Sequence, residues 1–168
     1  MQIILPMGIS FYTFQSLGYV IDVYRVTVIA ERHAGYYALF ISFFPQLVAG
    51  PIERTQNLLP QLKSKRQWMD TSFEQGIALI LSGLFRKVVV ADYVGGFVNQ
   101  VYSRGTGVDG AAVCIGTVLF SIQIYCDFVG YSEIAVGSAK LMGIDLMRNF
   151  REPYGAVGVK DFWRRWHI

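Results

Sequence analysis

The stretch Asp161-Phe-Trp-Arg-Arg-Trp-His167-Ile168 sets an imidazole, two guanidiniums, a carboxylate and two indoles close together. Imidazole changes charge near neutral pH and can move a proton. The guanidiniums of Arg164 and Arg165 can hold phosphates, or flank a membrane span and face lipid headgroups. Trp163 and Trp166, spaced for one helix face, suit a tunnel lining or a membrane interface. His167 reads either as a reactive group or as an interfacial ring packed between those tryptophans. A second constellation is Asp127 and Glu133 in an apolar run, with Tyr125 and Tyr131 as hydrogen-bonding neighbours. Carboxylates in such a run are costly unless they face a cavity or a partner. Their spacing keeps them off a single helix face unless Gly130 breaks the helix. The structural alternative is that each pairs with an arginine or tyrosine elsewhere. His33, in a charged stretch, reads as surface. No histidine-acid cluster has metal-ligand spacing, and Cys114 and Cys126 read as packing residues.

The elements that must carry these groups are membrane-like. Of 168 residues, 53% are hydrophobic and 16% charged, and glycine and aromatics are abundant. A soluble domain carries about 25% charged residues. Net charge +3, without a basic polar surface, argues against nucleic acid. Met1 to Ile21 has no charge and is long enough to cross a bilayer core, though Pro6 and Gly8 interrupt its start. Asp22 and Arg25 close it and can pair. The opening residues carry no basic leader, so no signal peptide is expected there.

Ala34 to Ile52 is the second charge-free run. Pro45, Gly50 and Pro51 predict a helix up to Phe44, then an irregular or re-entrant segment. Residues 53–70 read as a polar extramembrane loop or surface helix, cytoplasmic by its basic residues, with Trp68 at the interface. Phe73 to Tyr93 is mostly apolar and is interrupted by Arg86 and Lys87, which snorkel at a membrane edge or face a polar interior. Gly95 to Gly110 predicts a loop. Gly110 to Ala139 predicts another span, and 143–168 a polar tail. The expectation is an all-α, multi-pass transmembrane protein of about three or four spans with a broken or re-entrant segment. So few spans do not close a bundle around a polar interior, so residues 1–168 are expected to be part of a larger domain, cut at both ends.

Six blocks give the chain a family likeness: LPMGISFYTFQSLGYVIDVYR, FFPQLVAGPIER, GLFRKVVVADY, QIYCDFVGYSEIAVG, NFREPY and DFWRRWHI. Together they resemble the membrane-bound O-acyltransferases. The nearest branch is the bacterial one that O-acetylates alginate, and the D-alanyl transfer branch of teichoic acid modification is a wider relative. Val129 stands where the family usually has serine, and Glu133 where it has aspartate.

The resemblance implies transfer of an acyl group, acetyl for the nearest branch, from a thioester donor such as acetyl-coenzyme A or an acyl carrier. The acceptor would be a hydroxyl of an exported polysaccharide such as alginate. No bound cofactor is expected. The implied setting is the bacterial cytoplasmic (inner) membrane, with the lipid bilayer and periplasmic O-acetylation proteins as partners. Such transfer needs a base for the hydroxyl, polarisation of the thioester carbonyl and exclusion of water. His167 matches the first of two family histidines and would orient or polarise a reactant. The second lies downstream in the family and matches no residue here, so these residues alone are expected to be inactive. The segment with Gln46, Glu53 and Arg54 helps build the family's central cavity. A transporter and a non-catalytic scaffold of a polysaccharide export complex are the rival classes.

Overall fold

The computed structural model describes residues 8–47, 50–65, 70–105 and 107–168. The expectations for Pro6 and Trp68 fall outside those residues. The helices are α1 Ile9–Tyr24, α2 Ala34–Ile41, α3 Thr55–Lys63, α4 Asp70–Leu84, α5 Asp92–Ser103, α6 Gly110–Leu141 and α7 Val159–Arg165. A π-helical stretch, Phe85–Ala91, joins α4 to α5, and 3-10 turns form at Phe44–Gln46 and Pro153–Gly155. The described residues are all-α, with one isolated antiparallel bridge between Phe150 and Trp166.

Helix α6 is the spine. Its 32 residues contain no proline and run about 48 Å at 1.5 Å per residue. Among the described residues it is the one helix long and apolar enough to cross a membrane. The rest of the chain buries only 11% of its most apolar window, which leaves a surface of the kind that lipid covers.

Gly130 does not break α6; it is where α4 crosses. A Cβ on Gly130 would stand 2.8 Å from the Gly83 carbonyl oxygen, and one on Gly83 would stand 2.6 Å from that of Gly130. One heptad away, Gly76 and Gly137 repeat the arrangement, at 3.0 and 2.6 Å from each other's carbonyl oxygens. The two pairs run in opposite chain directions, so α4 and α6 are antiparallel. Small residues at matched spacing let the backbones touch, the packing that drives helix association in lipid.

The expected loop from Gly95 to Gly110 is corrected: α5 continues to Ser103. Gly95 meets the Gln123 side chain of α6, where a Cβ would come within 2.7 Å of the amide nitrogen. Close packing, rather than turn formation, accounts for that glycine. The second charge-free run breaks earlier than expected. Helix α2 ends at Ile41, where Ser42 Oγ donates back to the Ala38 carbonyl at 2.7 Å. Phe44, next to Pro45, then enters the 3-10 turn.

Helix α3 forms within the predicted polar stretch and buries Leu58, Leu59 and Leu62. These pack with Phe40, Phe43, Val136, Ala139, Ile144 and Leu146 in a core at the C-terminal end of α6. Helix α1 reaches α2 through Tyr19, whose ring lies 4.8 Å from Tyr37 and 6.1 Å from Phe40. Glu31 pairs with Lys63 of α3, which holds its carboxyl below the ordinary range. No ion pair joins Asp22 to Arg25 among the described residues.

Candidate functional site

His167 is held by a short antiparallel ladder. The Arg151 amide donates to the Arg165 carbonyl at 2.9 Å, and the Ile168 amide donates to the Asn149 carbonyl at 3.0 Å. The NFR and RWHI segments therefore lie side by side, with Phe150 opposite Trp166. Between those two bonds His167 takes φ 50°, a left-handed backbone that few non-glycine residues adopt. Its exposed ring meets Phe128 of α6 at 5.5 Å and Phe150 at 6.4 Å.

An aromatic cluster continues from this point. Trp166 stacks on Phe162 at 5.5 Å and 18° and meets Phe150 edge-on at 5.2 Å. Tyr125 of α6 lies 6.2 Å from Trp166 and 5.1 Å from Tyr154. The Tyr154 hydroxyl donates to the Ser121 carbonyl at 2.6 Å, which ties the loop to α6. Such rings exclude water and present flat, weakly polar faces.

The other members of the WRRWH group separate. Trp163 is 64% exposed and meets edge-on the same Phe162 ring on which Trp166 stacks, so it sits at the outer edge of the cluster. Arg165 bonds Asp161 through two nitrogens at 3.0 Å each, which lowers the Asp161 carboxyl. Arg164 is exposed and makes no ion pair among the described residues. Of the two arginines, only Arg164 has its guanidinium available to an anion.

Asp127 and Glu133 are each paired, by cations on the π-helical stretch. Lys87 Nζ lies 2.7 Å from Asp127 and 2.7 Å from Asp92, and 5.3 Å from the Tyr131 ring centre. Arg86 lies 3.3 Å from Glu133. The sequence offers arginine or tyrosine as partners, and at Asp127 the partner is a lysine. Consecutive cations reach carboxylates nearly two turns apart on α6, a geometry that the widened π turn permits. We expect Lys87→Met to lower the stability of the full-length protein by about 1 kcal/mol or less, because the two carboxylates it leaves unpaired are roughly half exposed and keep much of their hydration. Adding Asp127→Asn should recover part of that. Thermal unfolding in detergent measures both.

A cavity of about 480 Å³ opens beside the cluster, lined by Ser132, Glu133, Lys140, Arg148, Asn149 and Phe150. Asn149 is 2% exposed, and neither amide atom of its side chain has a partner among the described residues. Glu133 Oε2 is likewise buried without a hydrogen bond. Buried polar groups normally find partners, so this wall is chemically ready for hydroxyls or water. Sequence reading does not single out Asn149, Phe128 or Phe150, although all three lie inside the blocks quoted above. The site is created by pairing two segments across an intervening loop and α7, and such pairing has no periodicity to read.

Gln46, Glu53 and Arg54 lie on the α3 side. Gln46 is buried and donates to the Phe40 carbonyl at 3.3 Å. Gly50 closes on it, since a Cβ there would sit 2.4 Å from the Gln46 Cα. Arg54 is exposed, and its carbonyl begins α3 by accepting from Asn57 and Leu58. Glu53 is 4% exposed: Oε2 accepts from Asn57 Nδ2 at 2.7 Å and Oε1 accepts from the Met147 amide. Burial pushes its carboxyl up, and those bonds pull it back.

The sequence profile of the membrane-bound O-acyltransferase family matches residues 31–168. A probable alginate O-acetylase AlgI of Pseudomonas aeruginosa is 38% identical over 167 residues, covering 99% of this chain and 32% of the relative. A peptidoglycan O-acetyltransferase of Helicobacter pylori is 34% identical over 194 residues, covering 100% and 37%. A teichoic acid D-alanyltransferase of Bacillus subtilis is 29% identical over 170 residues, covering 96% and 42%. The chain thus spans about a third of the length of the curated relatives it matches.

Proposed function

The chain belongs to the membrane-bound O-acyltransferase family, and we propose that the whole protein is a multi-pass acyltransferase of the bacterial cytoplasmic membrane. In this reading it moves an acetyl group from a thioester donor, acetyl-coenzyme A or an acyl carrier, to hydroxyls of an exported polysaccharide. The names of the three relatives differ in polymer but agree on transfer of an acyl group. That supports the reaction class more strongly than it supports alginate. Periplasmic O-acetylation proteins would complete the modification.

The observation that carries the proposal is the placement of His167. Its imidazole is exposed at the edge of an aromatic wall, on a backbone pinned from both sides. In the transfer, the acceptor oxygen bonds to the thioester carbon and the carbon–sulfur bond breaks. The hydroxyl proton passes through a base to the leaving thiolate. His167 orients or polarises a reactant, with the second family histidine as its partner in the chemistry. Tyr125, Phe128 and Trp166 keep water out. Arg164 is available to a phosphate of the donor.

Asp127 and Glu133, which would mark an ion path in a transporter, are paired inside the chain to Lys87 and Arg86. That favours transfer over transport. Deleting the gene tests the proposal: alkali-labile acetyl on the exported polysaccharide should disappear and return with the wild-type copy. Unchanged acetyl content would refute it, and loss of the polymer itself would point to an export scaffold.

A further inference from the structure

The segment that carries Asn149 and Phe150 is not held by the core alone. It is held by a polar stripe that starts just before α3 and runs onto it. Glu53, Asn57 and Gln61 recur at four-residue spacing, which lines them up on one side. Gln61 clamps Asp145 from both directions: Nε2 donates to the Asp145 carbonyl at 2.9 Å, and Oε1 accepts the Asp145 amide at 2.8 Å. Asn57 Nδ2 donates to the same carbonyl at 3.2 Å, and Glu53 Oε1 accepts the Met147 amide. Two residues beyond that amide the chain enters the ladder that fixes His167.

The bonds along the stripe have one direction. Gln61 Nε2 donates to Asn57 Oδ1 at 3.2 Å, and Asn57 Nδ2 donates to Glu53 Oε2 at 2.7 Å. Glu53 is the end of the relay and must accept with both oxygens, once from Asn57 and once from Met147. A carboxylate does this; an amide has only one accepting atom. Reversing Asn57 to suit an amide would turn its donor group away from the Asp145 carbonyl and its acceptor away from Gln61.

We infer that Glu53 is a positioning residue for His167, acting through the 145–151 segment and the ladder, and does not itself contact a reactant. The inference rests on the acyltransferase reading for its functional part, while its geometric part stands apart from that reading. Any misplacement would travel from Met147 to Asn149 and Arg151, and across the ladder to Arg165 and Ile168. A shift of about 1 Å at a reacting group costs on the order of 100-fold in rate.

The test uses the full-length protein in membranes and three variants: Glu53→Gln, Asn57→Asp and the double variant Glu53→Gln/Asn57→Asp. Hydrogen exchange read by mass spectrometry reports the ladder directly, whatever the activity. In Glu53→Gln, amides of 147–151 and 165–168 should exchange about tenfold faster or more, with α4 and α6 unchanged. Asn57→Asp alone sets two carboxylates against each other and should loosen the same amides. Acetyl transfer from a thioester by Glu53→Gln should lose about 10- to 100-fold in kcat with KM for the donor held. The double variant restores a directional pairing. The amide introduced at position 53 can donate to the carboxylate introduced at position 57 while still accepting from Met147, and Gln61 keeps its hold on Asp145; the bond from position 57 to the Asp145 carbonyl is lost, since a carboxylate has no donor. Both readouts should then recover in part relative to Glu53→Gln. Wild-type exchange and rate in Glu53→Gln would overturn the inference. So would lost activity that the double variant fails to restore while exchange recovers, since that outcome assigns the Glu53 carboxylate to a reactant. Faster exchange in a protein whose wild type transfers no acetyl would uphold the clamp and refute the acyltransferase reading instead.

Discussion

Replacing His167 with alanine should remove the proposed acyl transfer by the full-length protein while its membrane level holds. The imidazole is exposed, and its ring contacts are with Phe128 and Phe150, so little packing is lost with it. Loss of a group that moves or steers a proton costs about 100- to 10,000-fold. His167→Gly separates chemistry from folding. Glycine adopts φ 50° without strain, so this variant should fold at least as well as alanine and be equally inactive. Trp163→Ala is the comparison: its ring is largely exposed, and its loss should cost far less. O-acetyl content of the exported polymer, normalised to protein level, reads all three. Persistent acetylation in His167→Gly would assign the histidine to packing.

The second large effect is on folding. Gly83→Leu should eliminate the folded protein, and Gly130→Leu should do the same. A Cβ on either glycine meets the partner's carbonyl oxygen at 2.6–2.8 Å, and backbone cannot rotate aside as a side chain can. The helices must separate along a contact that also includes Gly76 and Gly137, with a cost of about 3 kcal/mol or more. Alanine at either position should be destabilising by less. Gly96→Ala is the control, because nothing lies within 4 Å of its added Cβ. That variant should be neutral or better, as expected for replacing glycine in a helix. Unfolding temperature and yield in detergent measure the series, and a wild-type yield for Gly83→Leu would contradict the packing described.

The chemical groups are legible in the sequence, but their partners are less so. The charge-free run from Gly110 announces α6, and the WRRWH end announces its histidine by residue type. Gly130 and Gly95 look like breaks in the sequence because a glycine needed for close approach has the same letter as one needed for a turn. Their role depends on which helix lies opposite, and that is a property of the fold. Arg86 and Lys87 stand out as cations near a membrane edge; the π turn that aims both at α6 has no composition signal. Glu53 joins the cavity wall only through family resemblance. Its bond to the Met147 amide spans 94 residues of chain. Of the three or four spans expected from the sequence, α6 is the one helix among the described residues that is long and apolar enough to cross a membrane.

The most direct measurement is reconstitution of the purified full-length protein into liposomes with an isotopically labelled acetyl thioester and the exported polysaccharide of its own cell. Label should appear as alkali-labile ester on the polymer, with one thiol released per ester, and neither should form with the His167→Ala protein. Labelled ester formed equally by wild type and His167→Ala, or polymer-dependent ion flux with no ester at all, would contradict that expectation.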